Sequence, residues 1–164
     1  MSPSIEDEIK QRLFHSEHQR LVINLLFTAH WMEFRHGRLL RPFGLTPPQF
    51  NLLRILRGQQ PVPATIALLT ERMIDKSSNT SRLVDKLEKK RLVKRTICPQ
   101  NRRAVDVVIT AAGLALLKKL DQAILEDEAR FHALPAAEAR RVSDFLDRLR
   151  DCIPPGEPAE RRAP

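Results

Sequence analysis

The fold of this chain follows from the segment Arg72–Arg103, RMIDKSSNTSRLVDKLEKKRLVKRTICPQNRR. These 32 residues hold eleven Lys and Arg against three Asp and Glu, whereas the remaining 132 residues hold seventeen of each sign. The whole net charge of +8 therefore lies in about one fifth of the sequence. So dense a positive charge predicts a polyanionic partner.

Two short helices joined by a tight turn are predicted within and just before this segment. Apolar residues at helical spacing place the first at about residues 64–73 and the second at about residues 77–90, with residues 74–76 as the turn. This arrangement is typical of a helix-turn-helix, whose second helix offers polar donors to the major groove of DNA. The predicted contacts of this recognition helix are Lys76, Ser77, Ser78, Asn79, Thr80, Ser81, Arg82 and Lys86. Ser and Asn are also good helix caps, so a capping role alone explains the Ser-rich segment equally well.

A basic β-hairpin is predicted directly after the recognition helix. Residues 92–97 and 104–109 are rich in β-branched side chains, and residues 99–103 lie between them. An Arg at the tip of such a hairpin, or wing, can enter the negative potential of a narrow minor groove, while neighbouring cations bind phosphates. The predicted wing contacts are Lys94, Arg95, Asn101, Arg102 and Arg103. A solvated basic turn is the alternative for the Arg pair taken by itself, but its position after a helix-turn-helix favours DNA binding.

Long amphipathic helices are predicted on both sides of this module. The first runs from Ile9 to about His36 with a wide apolar stripe, which favours contact with a second subunit. Thr46 and Thr110 are placed to cap the helices before and after the module, and Pro135 opens the last helix. The predicted fold class is mainly α with a small β-hairpin wing.

Four segments in and after the basic stretch resemble the MarR family of winged helix-turn-helix transcriptional regulators. They are LVDKLE at 83–88, LVKR at 92–95, NRR at 101–103 and VITAAG at 108–113. The resemblance covers roughly residues 21–149 and implies a single unit of residues 1–153. Within it, residues 9–36 and 111–150 would form a helical dimerisation lobe and residues 46–110 a winged helix-turn-helix DNA-binding lobe. Residues 154–164, rich in Pro and charge, are predicted to form a disordered tail.

The resemblance also implies how the protein would meet DNA. It implies a homodimer on a pseudo-palindromic operator in double-stranded DNA, with recognition helices in successive major grooves and wings in the flanking minor grooves. Arg82 falls on the Arg of the family's recognition helix, and Arg103 on the Arg that enters the minor groove. Arg91 stands where a Gly usually ends the recognition helix. Because Gly enters left-handed backbone conformations freely and Arg does not, we expect a different turn or mild strain there.

An aromatic cluster near the end of the first long helix is the candidate effector pocket. The resemblance implies that small aromatic or anionic ligands bind between the two lobes. The residues that could line such a pocket are His30, Trp31, Phe34, His36 and Phe43. Core packing and dimer contact are the alternative, since aromatic side chains are more often structural.

Other functional classes find little support in the sequence. It contains no run of 18 apolar residues, and its acidic first eight residues do not resemble a signal peptide, so we expect no membrane span and a cytoplasmic protein. Phosphate-loop, serine-hydrolase and zinc-protease motifs are missing, so no enzyme activity and no cofactor are predicted. His15 and His18 lack a third ligand at useful spacing, so no metal site is predicted. Cys98 is either a redox switch beside basic residues or, more simply, an ordinary strand residue.

These patterns together predict a sequence-specific DNA-binding transcriptional regulator, namely a repressor released by a small ligand. The alternative is a ligand-sensing or protein-interaction module on the same fold, which would bind DNA with a salt dependence but without sequence preference. RNA is a poorer partner, because the basic segment contains no aromatic side chain that could stack on bases.

Overall fold

The computed structural model describes residues 3–98 and 101–152, and of residues 97, 98 and 101–105 it describes the backbone alone. The elements in chain order are α1 (Ile5–Ile9), α2 (Glu17–Leu40), a 3₁₀ turn (Arg41–Phe43), α3 (Pro47–Gln59), β1 (Ala64–Thr65), α4 (Ile66–Arg72), α5 (Thr80–Lys89), β2 (Val93–Cys98), β3 (Asn101–Ile109), α6 (Ala111–Ala129), a second 3₁₀ turn (Arg130–Ala133) and α7 (Ala136–Cys152). The chain divides into two compact units, one ending at Gln122 and the other beginning at Ala123. The predicted tail, residues 154–164, lies outside the described residues.

The first helix is interrupted, which corrects the expectation of one helix starting at Ile9. α1 ends at Ile9 because Lys10 adopts a left-handed conformation with φ of 55°. The next helix begins only after Ser16, whose hydroxyl accepts a hydrogen bond from the N–H of Gln19 at 3.2 Å. The apolar periodicity continues across this break, so it cannot reveal where the cap lies.

An ion pair joins α1 to α2 across the interruption. The Nε of Arg20 in α2 lies 2.5 Å from Oε1 of Glu6 in α1. That hydrogen bond lowers the pKa of Glu6 to about 2. Ile5 beside it is buried. The short first helix is therefore held by one apolar anchor and one charged pair.

α4 and α5 form the predicted helix-turn-helix, but both helices begin later than the pattern indicated. The first two residues expected in α4 form β1 instead, and Thr65 caps the helix by accepting a hydrogen bond from the N–H of Leu68 at 3.2 Å. α5 begins directly after its cap, Asn79, so Ser77 and Ser78 precede the helix rather than opening it.

The predicted hairpin is confirmed, and it belongs to a three-stranded antiparallel sheet with the strand order β1-β3-β2. Val93 pairs with Ile109 at the base of the hairpin, and Cys98 pairs with Asn101 near its tip. β3 already begins at Asn101, so the basic residues expected in the tip loop are strand residues. β1 was not predicted, because its two residues become a strand only by pairing with β3.

A shared core unites α3, α4, α5, the sheet and the first half of α6. The buried side chains include Leu52, Leu53, Leu56, Leu69, Val84, Leu87, Val107, Leu117 and Leu120. At the start of α6, a Cβ on Gly113 would lie 2.4 Å from the carbonyl oxygen of Leu92 and 2.7 Å from Cγ1 of Ile109. Gly113 is therefore the point at which α6 approaches the sheet too closely for any side chain.

The second unit consists of the end of α6, a 3₁₀ turn and α7. None of the residues from 123 to 152 is fully buried. Its exposed large apolar side chains are Leu125, Phe131, Leu134, Val142 and Phe145. Among the residues that the structure describes, no helix has both the length and the apolar character needed to cross a membrane.

Candidate nucleic-acid interface

The recognition helix α5 has one buried face and one polar, solvent-exposed face. Val84 and Leu87 are fully buried, whereas Ser81, Arg82 and Lys86 are exposed. The Oδ1 of Asn79 accepts a hydrogen bond from the N–H of Arg82 at 3.0 Å and so caps the helix. Asn79 thus has the capping role that the sequence left open, while the exposed polar side chains remain available for groove contacts.

Thr80 is not available to DNA, which corrects its assignment as a contact. It is only 3% exposed. Its hydroxyl oxygen lies 2.8 Å from that of Thr70, so a hydrogen bond joins α5 to α4. Thr80 therefore sets the spacing of the two helices.

Ser77 and Ser78 lie in the turn before α5, which corrects their assignment to the helix. The carboxylate of Asp75 accepts hydrogen bonds from the hydroxyl of Ser77 at 2.6 Å, from its N–H at 2.9 Å and from the hydroxyl of Ser78 at 2.7 Å. Donation from Ser77 and then Ser78 lowers the pKa of Asp75. The ammonium of Lys76 donates to the backbone carbonyl of Glu71. Asp75 therefore organises the turn that leads into the recognition helix.

Three lysines near the end of α5 line a basic cavity on the side of α5 that faces the start of α3. A cavity of about 680 Å³ is lined by Gly37, Arg41, Gly44, Leu45, Thr46, Pro47, Gln49, Lys86, Lys89 and Lys90. The Nζ of Lys90 donates to the carbonyl of Gly44 at 2.5 Å and to Oε1 of the buried Gln49 at 3.2 Å. Lys90 therefore anchors the end of α5 on Gly44, before α3, and on Gln49 in the first turn of α3, while Lys86 and Lys89 are exposed.

The end of α5 is a left-handed turn centred on Arg91, whose φ is 60°. The N–H of Arg91 donates to the carbonyl of Glu88 at 2.8 Å, and the N–H of Leu92 donates to the carbonyl of Leu87 at 3.0 Å. This pair of bonds is the Schellman motif, which usually carries Gly at the left-handed position. Of the two expected outcomes, a different turn or mild strain, the turn itself is the usual one, and Arg91 adopts the left-handed conformation in it that Gly enters freely.

The wing begins with one exposed cation and one that is engaged in ion pairs. Lys94 is exposed. The Nη2 of Arg95 lies 2.5 Å from Oδ1 of Asp85 in α5. Arg95 was predicted to bind a phosphate, and the structure instead places its guanidinium against the recognition helix. The side chains of Asn101, Arg102, Arg103 and Cys98 lie outside the described part of the chain, so their assigned roles stay predictions.

A cavity of about 700 Å³ opens between α2, α3 and the turn before α5. Its lining residues are Met32, Glu33, His36, Pro47, Pro48, Phe50, Asn51, Arg54, Met73, Ile74 and Asp75. The guanidinium of Arg54 lies 5.8 Å from the ring centroid of Phe50. The Oδ1 of Asn51 accepts a hydrogen bond from the N–H of Ile74 at 2.9 Å. The cavity therefore combines an apolar lining with charged groups and touches the turn that precedes the recognition helix.

Only one of the five residues predicted for an effector pocket lines this cavity. That residue is His36. Trp31 and Phe34 are exposed, and so is His30, whose Nδ1 lies 3.9 Å from Oε2 of Glu33. Phe43 is half-buried in the first 3₁₀ turn. The cavity residues on α3 and in the turn were missed, because an aromatic cluster in sequence marks one helix and not the elements packed against it.

No cluster of three or more metal-ligating side chains is present among the residues that the structure describes. His15 and His18 are both exposed, one before α2 and one in its first turn.

Comparison with known proteins finds similarity to transcriptional regulators. The profile of the MarR family matches residues 45–105. The HTH-type transcriptional regulator MhqR of Bacillus subtilis strain 168 is 31% identical over 110 residues, a match that spans 65% of this chain and 72% of that protein. A regulatory protein assigned to the hcr operon of Thauera aromatica is 30% identical over 107 residues. That match spans 65% of this chain but 63% of the Thauera protein, less than two thirds of its length.

Solved structures show the same fold. A MarR transcription factor from Planctomyces limnophilus is 31% identical, with a TM-score of 0.63, and the match covers 82% of this chain and 98% of that one. MepR of S. aureus bound to DNA matches with a TM-score of 0.70 at 19% identity, over 81% of this chain and 96% of that one. PcaV of Streptomyces coelicolor with its natural ligand matches with a TM-score of 0.64 at 23% identity, over 76% of this chain and 89% of that one.

Proposed function

The chain belongs to the MarR family of transcriptional regulators, and we propose that it acts as a homodimeric repressor that binds a pseudo-palindromic operator in double-stranded DNA and is released by a small ligand. A protein of this kind acts where the chromosome lies, so we also propose a cytoplasmic location. No catalytic step is part of this proposal.

The observation that carries the proposal is that α5 exposes one polar face to solvent and buries its apolar face in the core. Ser81, Arg82 and Lys86 extend into solvent while Val84 and Leu87 fix the helix to the core. A helix held in this way can enter a major groove, where an Arg can pair bidentately with guanine. Among the solved structures of this fold, MepR is bound to DNA.

A homodimer is supported by the apolar side chains that each unit leaves in solvent. In α2 these are Val22, Leu25, Leu26, Trp31 and Phe34, and the second unit exposes a comparable set. Contiguous exposed apolar surface on one chain marks an association surface, and a second copy of the chain is the partner that we propose for these side chains. A second copy that covers them would bring two recognition helices to two half-sites of one operator.

The cavity beside α3 supports release by a small ligand of aromatic or anionic character. Phe50 and Met32 offer apolar contact, and the guanidinium of Arg54 and the imidazole of His36 offer donors to an anion. Because Ile74 and Asp75 also line the cavity, a bound molecule would touch the turn that leads into the recognition helix. A ligand that favours a different position of this turn would shift the protein away from its DNA-binding state. PcaV, which has this fold, is known with its natural ligand.

The experiment is selection of bound duplexes from a random pool, followed by fluorescence anisotropy titrations with the enriched operator. We expect a sequence with two related half-sites. Arg82→Ala should weaken operator binding by about 1–3 kcal/mol and relax the preference at one base pair in each half-site. Lys118→Ala, which changes an exposed cation on α6, should leave both the affinity and the preference unchanged.

Two results would contradict the proposal. One is binding that falls with salt but enriches no sequence, which would identify a ligand-sensing or protein-interaction module. The other is an Arg82→Ala protein whose sequence preference is that of the wild type.

A further inference from the structure

Arg95 lies in β2 of the wing, where its backbone pairs with Val107 of β3, and its described side-chain contacts are made with the recognition helix. Its Nη2 lies 2.5 Å from Oδ1 of Asp85 and donates to the carbonyl oxygen of Ser81 at 3.1 Å. Its Nε lies 3.8 Å from Oε2 of Glu88. Its backbone N–H donates to the other oxygen of Glu88, Oε1, at 3.1 Å. Main chain and side chain of one wing residue therefore both bind α5.

The three partner positions lie on one stripe of the recognition helix. Ser81, Asp85 and Glu88 are four and three residues apart, which places them one above another on the same side of α5. The side chain of Arg95 is 29% exposed, whereas those of Asp85 and Glu88 are 49% and 42% exposed. The side chain of Arg95 is thus the least exposed of the three and lies against two carboxylates that are partly open to solvent.

From this geometry we propose that Arg95 is a positioning residue that fixes the wing at a set distance from the recognition helix and does not contact a phosphate. The inference rests on the proposed DNA-binding function. Turning the guanidinium towards DNA would break its pairing with Asp85 and Glu88 and leave two carboxylates uncompensated beside a polyanion. Simultaneous binding of a major and an adjacent minor groove requires a fixed separation of helix and wing, which the bracket of Arg95, Asp85 and Glu88 provides.

The variant Asp85→Asn gives opposite results for the two roles of Arg95. If Arg95 contacts a phosphate, removal of a neighbouring negative charge strengthens the attraction to DNA and frees the guanidinium, so operator binding tightens. If Arg95 positions the wing, the same change loosens the bracket and operator binding weakens. We expect weaker binding, by roughly threefold to tenfold. Tighter binding would overturn the proposal.

The salt dependence of binding gives a second, independent readout. Each phosphate contact adds about 0.9 to the slope of log affinity against log salt concentration. We expect Arg95→Ala to weaken operator binding on the order of tenfold while the slope keeps its wild-type value. Lys94→Ala, the exposed neighbour on the same strand, is the matched control and should lower the slope by about 0.9 if it binds a phosphate. A slope that falls by the same amount in Arg95→Ala would assign Arg95 to the phosphates and overturn the proposal.

A conservative variant keeps the test valid if Arg95→Ala disturbs folding. Lys carries the same charge but cannot span two carboxylates, although it binds phosphate well. Arg95→Lys should therefore bind the operator more weakly than the wild type, and wild-type affinity in this variant would count against the bracket.

If the wild-type protein enriches no operator, the proposed function fails and this inference falls with it. If an operator is found and Asp85→Asn tightens binding, the inference alone fails.

Discussion

At the scale of the residue, the left-handed turn at Arg91 stores strain that another side chain would relieve. An L-residue with φ of 60° carries a steric cost of about 1–2 kcal/mol, and Gly does not. Gly in turn loses roughly 0.5–1 kcal/mol more backbone entropy on folding. We therefore expect Arg91→Gly to raise the free energy of unfolding by about 0.5–1 kcal/mol, measured by urea denaturation at one fixed protein concentration.

Arg91→Ala separates backbone strain from charge. It removes the same positive charge from the basic segment but keeps a Cβ, so it should bring no stabilisation. If Arg91→Ala stabilises the protein as much as Arg91→Gly does, charge repulsion rather than the left-handed conformation is the cause.

At the scale of the element, the approach of α6 to the sheet depends on one missing side chain. A Cβ on Gly113 would meet the carbonyl oxygen of Leu92 at 2.4 Å, and this backbone atom cannot move away without disturbing β2. We expect Gly113→Ala to lower the free energy of unfolding by roughly 1–3 kcal/mol. Gly37→Ala and Gly58→Ala are the controls, because their Cβ atoms would meet nothing within 4 Å.

The two controls should change stability in the opposite direction. Gly37 and Gly58 lie in α2 and α3, where Ala is favoured over Gly by about 1 kcal/mol. Thermal unfolding should therefore give a lower melting temperature for Gly113→Ala and a higher one for Gly37→Ala and Gly58→Ala than for the wild type. A stabilised Gly113→Ala protein would show that α6 does not contact the sheet as closely as the structure has it.

What the sequence could predict about these elements was limited by the range of the interactions that form them. The recognition helix and the hairpin were predictable, because helical periodicity and β-branched runs are local signals. β1 was not, since it exists only by pairing with β3, some forty residues away. The burial of Thr80 depends in the same way on Thr70, ten residues earlier.

The candidate site was predictable to a similar extent. The basic helix and strand could be located from charge alone, and the polar face of α5 followed from its apolar positions. The pairing of Arg95 with Asp85 and Glu88 could not be foreseen from the sequence. A basic residue in this strand is equally consistent with a phosphate contact. The sequence predicted where the positive charge is concentrated. Only the packing of β2 on α5 showed that the charge of Arg95 is already paired with the carboxylates of Asp85 and Glu88.

At the scale of the whole molecule, the apolar surface of α2 should determine whether one operator holds one copy of the chain or two. Leu26 is 65% exposed in the single chain. Burial of a Leu side chain contributes roughly 1.5–3 kcal/mol, and a symmetric interface contains every substitution twice. We therefore expect Leu26→Lys to raise the dissociation constant of the proposed dimer by at least about a hundredfold, measured by sedimentation equilibrium over a range of protein concentrations.

The loss of the dimer should appear in DNA binding as well. A monomer engages one half-site and loses the gain that comes from linking two binding events, so Leu26→Lys should bind the full operator with the affinity of a single half-site. Val62→Lys is the matched control, since Val62 is 60% exposed but lies in the loop between α3 and β1. It should leave the dimer and operator binding unchanged. A Leu26→Lys protein that remains dimeric and binds the full operator normally would exclude this part of α2 from the interface, and the apolar side chains of α2 would then need a different partner.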